Sequence, residues 1–200
     1  MTEQREVHFP VDSDEKITEP IKYGAFANHY MQSVLQKFGI KAFRRSSALM
    51  EFESFLKRIN ASGKTCLEIG TYHGITAIIL SQYFKNVICV SVDNDPASLL
   101  KHELVKFLGI KNIQFIDLDN NRQKSKAIRD VDFDFCYMDG DHTHDTHTDF
   151  KLVKHCGRVL FHEYWPIQVP VWNLVNSLPQ DEITRADFDC FAYWEKKAEL

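Results

Sequence analysis

The chain has 200 residues, of which 44% are hydrophobic and 12% aromatic. This length and composition suit one globular domain with a sizeable core and exclude a disordered chain. The net charge of -4 argues against nucleic acid as a partner. No apolar run approaches the roughly 20 residues that span a bilayer, so no membrane partner is expected. The five cysteines lack paired spacing, which predicts free thiols and a reducing, cytoplasmic setting.

The N-terminal part of the chain is polar and charged, which predicts a mobile arm. A helix over residues 28–38 is expected to end at Gly39, because glycine commonly ends a helix. A second helix is expected to begin after Ser47, where apolar residues recur at helical spacing. Residues 1–46 are therefore predicted to form an arm, a helix and a possible lid, and residues 47–200 the main domain.

Beyond the second helix, the sequence alternates between strand-like and helix-like runs. Such alternation predicts a mainly parallel sheet covered by helices on both faces. In such sheets, ligands bind beyond the carboxyl ends of the strands. The predicted strands are TCLEIG, NVICVSVD, NIQFID, FDFCYMD, RVLFHE and DFDCFAYWEKK, and the predicted helices are TAIILSQYF, PASLLKHELVKFLG, KSKAIRD, DFKLVKHC and VWNLVNSL.

The first strand leads into a glycine-containing turn, LEIGTYHG, that precedes a helix. Gly70 and Gly74 would let a ligand approach the backbone, although tight turns also need glycine for structural reasons. The dinucleotide fingerprint GxGxxG and a Walker lysine are both missing, so the predicted ligand is a nucleoside without a pyrophosphate. Asp93 ends the second strand, where an acid can accept both ribose hydroxyls or cap the following helix.

Five runs in this order, LEIGTYHG, VSVDND, IQFIDLDN, DFCYMDGDH and GRVLFHEYW, resemble the class I S-adenosylmethionine-dependent methyltransferases. More narrowly, they resemble a small bacterial branch with a DGDH-type motif after the fourth strand. The likeness extends from about Ser47 to the C-terminus. It implies an α/β, Rossmann-like fold with helices on both faces of a seven-stranded sheet. That sheet would be mostly parallel, with a C-terminal antiparallel strand.

The resemblance also implies which residues bind the cofactor, S-adenosylmethionine. The turn after the first strand would line its methionine part, the end of the second strand would hold the ribose, and the end of the third would border the adenine. Leu118 stands where the family often has glycine. The implied cofactor-binding residues are Glu68, Gly70, Thr71, Tyr72, Gly74, Asp93, Asn94, Leu118, Asp119 and Asp139.

A second implication concerns Asp139 at the end of the fourth strand and His162-Glu163 at the end of the fifth. Related enzymes bind a metal at these positions, so the resemblance implies Asp139, His162 and Glu163 as ligands of a divalent Mg, Mn or Zn ion. A cation there would lower the pKa of an alcohol or phenol acceptor. His142, three residues beyond Asp139, is the candidate general base, and Asp139 the second candidate catalytic residue.

The same acidic stretch also has a simpler interpretation. Asp141, Asp145 and Asp149 lie at or near the start of a predicted helix, where carboxylates are favourable to the helix dipole. His144 and His147 are three residues apart and are expected on one exposed face of that helix.

From the sequence we expect a methyltransferase that uses S-adenosylmethionine and methylates an oxygen of a small molecule, with possible help from a metal. Two alternatives are a non-catalytic module that binds S-adenosylmethionine and a metal-dependent, hydroxylase-like protein on the same fold. Production of S-adenosylhomocysteine (SAH) would exclude the first alternative, and metal analysis would test the second. A homodimer is a further possibility.

Overall fold

The computed structural model describes residues 36–39, 46–92, 96–141, 145–186 and 190–197. Helices and strands alternate through most of this part of the chain, as the sequence predicts. The helices are α1 (Ser46–Arg58), α2 (Ile75–Leu80), α3 (Leu100–Phe107), α4 (Lys124–Arg129), α5 (Thr146–Val153) and α6 (Val169–Ser177). The strands are β1 (Gly63–Ile69), β2 (Phe84–Val92), β3 (Ile113–Leu118), β4 (Phe135–Met138), β5 (Arg158–Phe161), β6 (Ile183–Arg185) and β7 (Ala192–Glu195).

These strands form a seven-stranded sheet in the order β3-β2-β1-β4-β5-β7-β6. The first five strands are mutually parallel, and β7 runs antiparallel to both β5 and β6. The predicted fold class, mostly parallel with a C-terminal antiparallel strand, is therefore confirmed. The strand order also places the carboxyl ends of β1, β2 and β4 side by side, which is where a ligand site is expected.

The register of the central strands brings the candidate residues to one edge. Ile69 pairs with Met138, and Met138 pairs with Phe161. The residues that follow these three in the chain therefore leave the sheet at the same level, next to one another. This alignment places the turn after β1 beside Asp139 and His162.

Two hydrophobic cores cover the sheet, one on each face. Helices α1, α2 and α3 pack on the first face, and α4, α5 and α6 on the second. Consecutive residues of a strand point to opposite faces, so Cys66 joins the first core and Leu67 the second. The thiols of Cys66, Cys89 and Cys136 are free, as predicted, and buried. None of the helices in the described ranges is long and apolar enough to cross a membrane.

The predicted boundaries differ from the observed ones at a few places. Strand β2 begins at Phe84, two residues before the predicted start, and α1 begins at Ser46. Strand β6 was not predicted, because three residues are too short for a recognisable hydrophobic period. Gly39 has a left-handed φ of 66°, which fits its predicted role at a helix end. The rest of the predicted N-terminal arm lies outside the described residues.

Candidate active site

The turn between β1 and α2 requires glycine because it packs directly on another backbone segment. Gly70 has a φ of 83°, and its N–H donates to the carbonyl of Val90 at 2.9 Å. A Cβ atom at this position would lie 2.1 Å from the carbonyl oxygen of Asp139. Tyr72, two residues later, also has a positive φ of 45°, a strained conformation that is common at functional sites. The turn is therefore held tightly against the end of β4.

A cavity of about 480 Å³ opens over this turn, within the size range of small-molecule sites. It lies at the carboxyl ends of β1, β2 and β4. Four of the predicted cofactor residues line it: Gly70, Thr71, Tyr72 and Asp139. The structure therefore brings these four predicted residues together around one cavity.

Three other predicted residues, Asp93, Asn94 and His142, lie outside the described residues. Val92 lines the cavity and is the last described residue before Asp93. Asp93 therefore follows the cavity wall directly in the chain.

Leu118 and Asp119, which the resemblance places beside the adenine, do not line the cavity. Leu118 is half-buried and packs against the second core, while Asp119 is exposed and its carboxylate accepts a hydrogen bond from Gln123. The wall is built instead by Asn121 and Lys124. No sequence pattern indicates these two residues, because Asn121 lies in the short connection after β3, Lys124 begins α4, and neither belongs to a recognisable motif.

The carboxylate of Glu68 is fully buried behind the glycine turn. Its Oε1 accepts a hydrogen bond from the Thr76 hydroxyl at 2.5 Å. Burial raises the pKa of Glu68 to about 7, although the Thr76 hydroxyl opposes the rise. Within the described part of the chain, Glu68 Oε2 and the hydroxyl of Thr71 have no hydrogen-bond partner.

Buried polar atoms are nearly always satisfied in native proteins. Thr71 lines the cavity, and its hydroxyl also lies close enough to Glu68 to lower the pKa of that carboxyl. A polar ligand bound in the cavity would supply a hydrogen-bond partner for this hydroxyl. The residues on the β1 side therefore fit a polar small molecule that lies against the glycine turn.

Asp139 and His162 form a hydrogen-bonded pair at the edge of this cavity. The distance from His162 Nδ1 to Asp139 Oδ1 is 2.5 Å, and the Tyr137 hydroxyl donates to Asp139 Oδ2 at 3.2 Å. Burial alone would lower the pKa of His162, but the Asp139 carboxylate raises it to about 10. The pair is therefore an imidazolium and a carboxylate at neutral pH.

This pairing argues against the predicted metal centre of Asp139, His162 and Glu163. Both Asp139 oxygens accept hydrogen bonds from protein groups, and a metal-bound imidazole must be deprotonated. Among the residues that the structure describes, no three His, Cys, Asp or Glu side chains are grouped so that they could hold a metal ion. The described residues therefore show no metal site, and a metal held by Asp139, His162 and Glu163 stays a prediction, as does the hydroxylase-like alternative.

The acidic stretch after β4 also differs from the simple helix start that we considered. Asp149 is buried, and both its oxygens accept hydrogen bonds from Lys124, at 2.9 and 2.8 Å. Asp145 precedes α5 without a side-chain capping bond. His147 is exposed on α5, as predicted, whereas His144 lies outside the described residues. Asp149 therefore belongs to the interior of the fold.

Searches of protein-family models and of curated proteins give no match. Solved structures do match. An O-methyltransferase from Bacillus cereus in complex with SAH superposes with a TM-score of 0.62 at 14% identity, over 84% of this chain and 91% of that one. An SAH-bound methyltransferase from Podospora anserina superposes with a TM-score of 0.60 at 13% identity, over 84% of this chain and 89% of that one. The fold is a methyltransferase fold. Membership of the predicted small bacterial branch stays a prediction.

We expect His162 to remain protonated well above neutral pH. The imidazole nitrogen shifts of His162, assigned with a His162→Gln variant and followed by NMR, should show titration only above about pH 9. In Asp139→Asn the charged partner is gone while burial remains, so the imidazole should lose its proton below its ordinary pKa of about 6.5. Titration of wild-type His162 near pH 6.5 would contradict the proposed pair.

Proposed function

We propose that this protein is an S-adenosylmethionine-dependent methyltransferase that methylates an oxygen atom of a small-molecule acceptor. The proposal rests mainly on the cavity of about 480 Å³ at the carboxyl ends of β1, β2 and β4. Its walls combine the glycine turn, an unpartnered Thr71 hydroxyl and the charged pair at Asp139. The solved methyltransferase structures with the same fold support the proposal.

In this account, the two ends of the cavity bind different parts of the cofactor. Gly70 and Thr71 bind the methionine part against the turn, and Asp93 accepts the ribose hydroxyls just beyond β2. Bound S-adenosylmethionine supplies a methyl group on a positively charged sulfur. The Asp139 carboxylate lies at the edge of the cavity, where its negative charge favours that positive centre.

The chain contributes to the reaction mainly by positioning and by removing a proton. Asp139 is fixed by His162 and Tyr137, and an ionised carboxylate has lone pairs beyond the two that these donors use. It can therefore accept a hydrogen bond from the acceptor hydroxyl and orient its oxygen toward the methyl group. Such orientation contributes roughly 7–11 kcal/mol in favourable cases. His142 is the proposed base, and no step depends on a metal.

This mechanism predicts that turnover survives metal removal and requires His142. Purified protein should convert S-adenosylmethionine to SAH with a phenol or catechol acceptor equally well with and without excess chelator. His142→Ala should lower kcat by about 100-fold or more, the usual contribution of a general base. The control is His147→Ala, because His147 is an exposed histidine on α5. Complete inhibition by chelator, reversed by Mg²⁺ or Mn²⁺, would contradict the metal-free account.

A further inference from the structure

The cavity contains a buried lysine that the proposed mechanism does not use. Lys124 is the first residue of α4, its side chain is only 6% exposed, and it lines the cavity. A buried ammonium group is costly unless it is paired and hydrogen-bonded. Its partner is Asp149 on α5, which is also buried, with 4% of its side chain exposed.

The Lys124–Asp149 pair lies directly beneath the cavity floor. Gly140 lines the cavity, and a Cβ atom at that position would lie 3.4 Å from Asp149 Oδ2. Asn121, which also lines the cavity, donates a hydrogen bond to the carboxylate of Asp145. The segments that follow β3 and β4 are thus joined by two polar contacts, which fixes the position of the Lys124 side chain.

The ammonium group of Lys124 has one more hydrogen than these contacts use. A lysine ammonium has three N–H donors. Asp149 accepts two hydrogen bonds, at 2.9 and 2.8 Å, and the next oxygen, Asp145 Oδ2, is 4.0 Å away. Within the described ranges, the third N–H therefore has no acceptor in hydrogen-bond range. A buried donor without an acceptor is destabilising, and an acceptor atom of a bound ligand would remove this cost.

The position of Lys124 indicates which part of the ligand it meets. It begins the helix that follows β3, the outer strand at this edge of the sheet, whereas Glu68 lies in the central strand β1 and Asp139 follows the central strand β4. Asp93, the proposed ribose ligand, comes directly after β2 in the chain, and β2 lies between β3 and β1 in the sheet. A nucleoside held there by its ribose extends its base toward Lys124 and its positively charged sulfur toward the carboxylates. The ammonium group would repel the sulfonium in the reverse orientation.

We propose that Lys124 donates its third ammonium hydrogen to a ring nitrogen of the adenine base and so fixes the orientation of the cofactor. This proposal rests on the proposed function. Lys124 is then a specificity-determining residue as well as the partner of Asp149. The adenine ring nitrogens N1, N3 and N7 are hydrogen-bond acceptors, so each of these three can be replaced by carbon to remove one acceptor at a time.

The test uses SAH and its 1-deaza, 3-deaza and 7-deaza analogues, with dissociation constants measured by calorimetry on the wild-type protein. One analogue should bind at least about tenfold more weakly than SAH, because a hydrogen bond to a charged donor is lost. The other two should bind within about threefold of SAH. If all three analogues bind as well as SAH, the assignment of Lys124 is overturned.

Variants then connect the lost affinity to Lys124. A single substitution leaves a buried charge unpaired, so the informative variant is Lys124→Met combined with Asp149→Leu, since apolar replacement of both partners commonly preserves the fold. It should bind SAH about tenfold more weakly and no longer distinguish the critical analogue from SAH. Lys126→Met, an exposed lysine on the same helix, is the control and should bind all four ligands like wild type.

The outcomes separate this proposal from the proposed function. A wild-type protein that is folded but binds no SAH would overturn both. A protein that binds SAH, while its folded double variant retains wild-type affinity and still distinguishes the critical analogue, would overturn only the role of Lys124. If the double variant does not fold, the three analogues on wild type decide the question alone.

Discussion

Gly70→Ala should destabilise the protein by about 4 kcal/mol or more and abolish cofactor binding. The added Cβ would lie 2.1 Å from the carbonyl oxygen of Asp139 and 2.7 Å from Cα of Gly140. Both atoms are backbone, so the clash can be relieved only if the ends of β1 and β4 move apart. Effects of this size are exceptional for one methyl group, and they arise from overpacking and an incompatible backbone conformation.

Chemical denaturation of Gly70→Ala and wild type measures this effect. Gly109→Ala is the matched control, because Gly109 also has a positive φ, of 66°, but has open space around its Cβ position. The free energy of unfolding of the control should therefore fall by only about 1 kcal/mol, the conformational cost of alanine at this position. Equal losses in the two variants would mean that the close approach of Asp139 is unimportant.

Between pH 5 and pH 8, the free energy of unfolding of the wild-type protein should fall by about 2–3 kcal/mol more than that of Glu68→Gln. The folded protein raises the pKa of Glu68 from 4.5 to about 7 through burial. Between these two values, the folded state holds a proton that the unfolded state has released. Wild-type stability therefore falls as the pH rises through this window, and each pKa unit corresponds to about 1.4 kcal/mol. Glutamine does not titrate, so the variant lacks this loss.

The measurement is urea denaturation of both ligand-free proteins at several pH values from 5 to 8. Glu103→Gln is the control, since it removes an exposed carboxylate from α3. Its stability should follow that of wild type at every pH. If wild type and Glu68→Gln also changed in parallel, Glu68 would be ionised in the folded protein at pH 5.

The sequence was most informative about the sheet. Strands β1, β2 and β4 are rich in apolar residues because both of their faces are covered, and such runs are easily recognised. The parallel order of the strands then determined which residues meet at the ligand edge. The resemblance implied that Asp139 and His162 are neighbours, and they are in contact.

The roles of these residues were harder to predict than their positions. A sequence cannot tell whether two neighbouring side chains bind a third partner or each other, and Asp139 and His162 bind each other. Asp149 was interpreted as one of the carboxylates that favour the dipole at a helix start. Its partner Lys124 lies 25 residues away, and only the packing of α4 against α5 makes both residues buried.

The most direct test of the account is a calorimetric titration of S-adenosylmethionine into the wild-type protein, with NAD as the comparison ligand. The wild-type protein should have one binding site for S-adenosylmethionine and should not bind NAD, and Asp93→Ala should lose the site. A folded protein that binds neither S-adenosylmethionine nor SAH, or that binds NAD equally well, would contradict it.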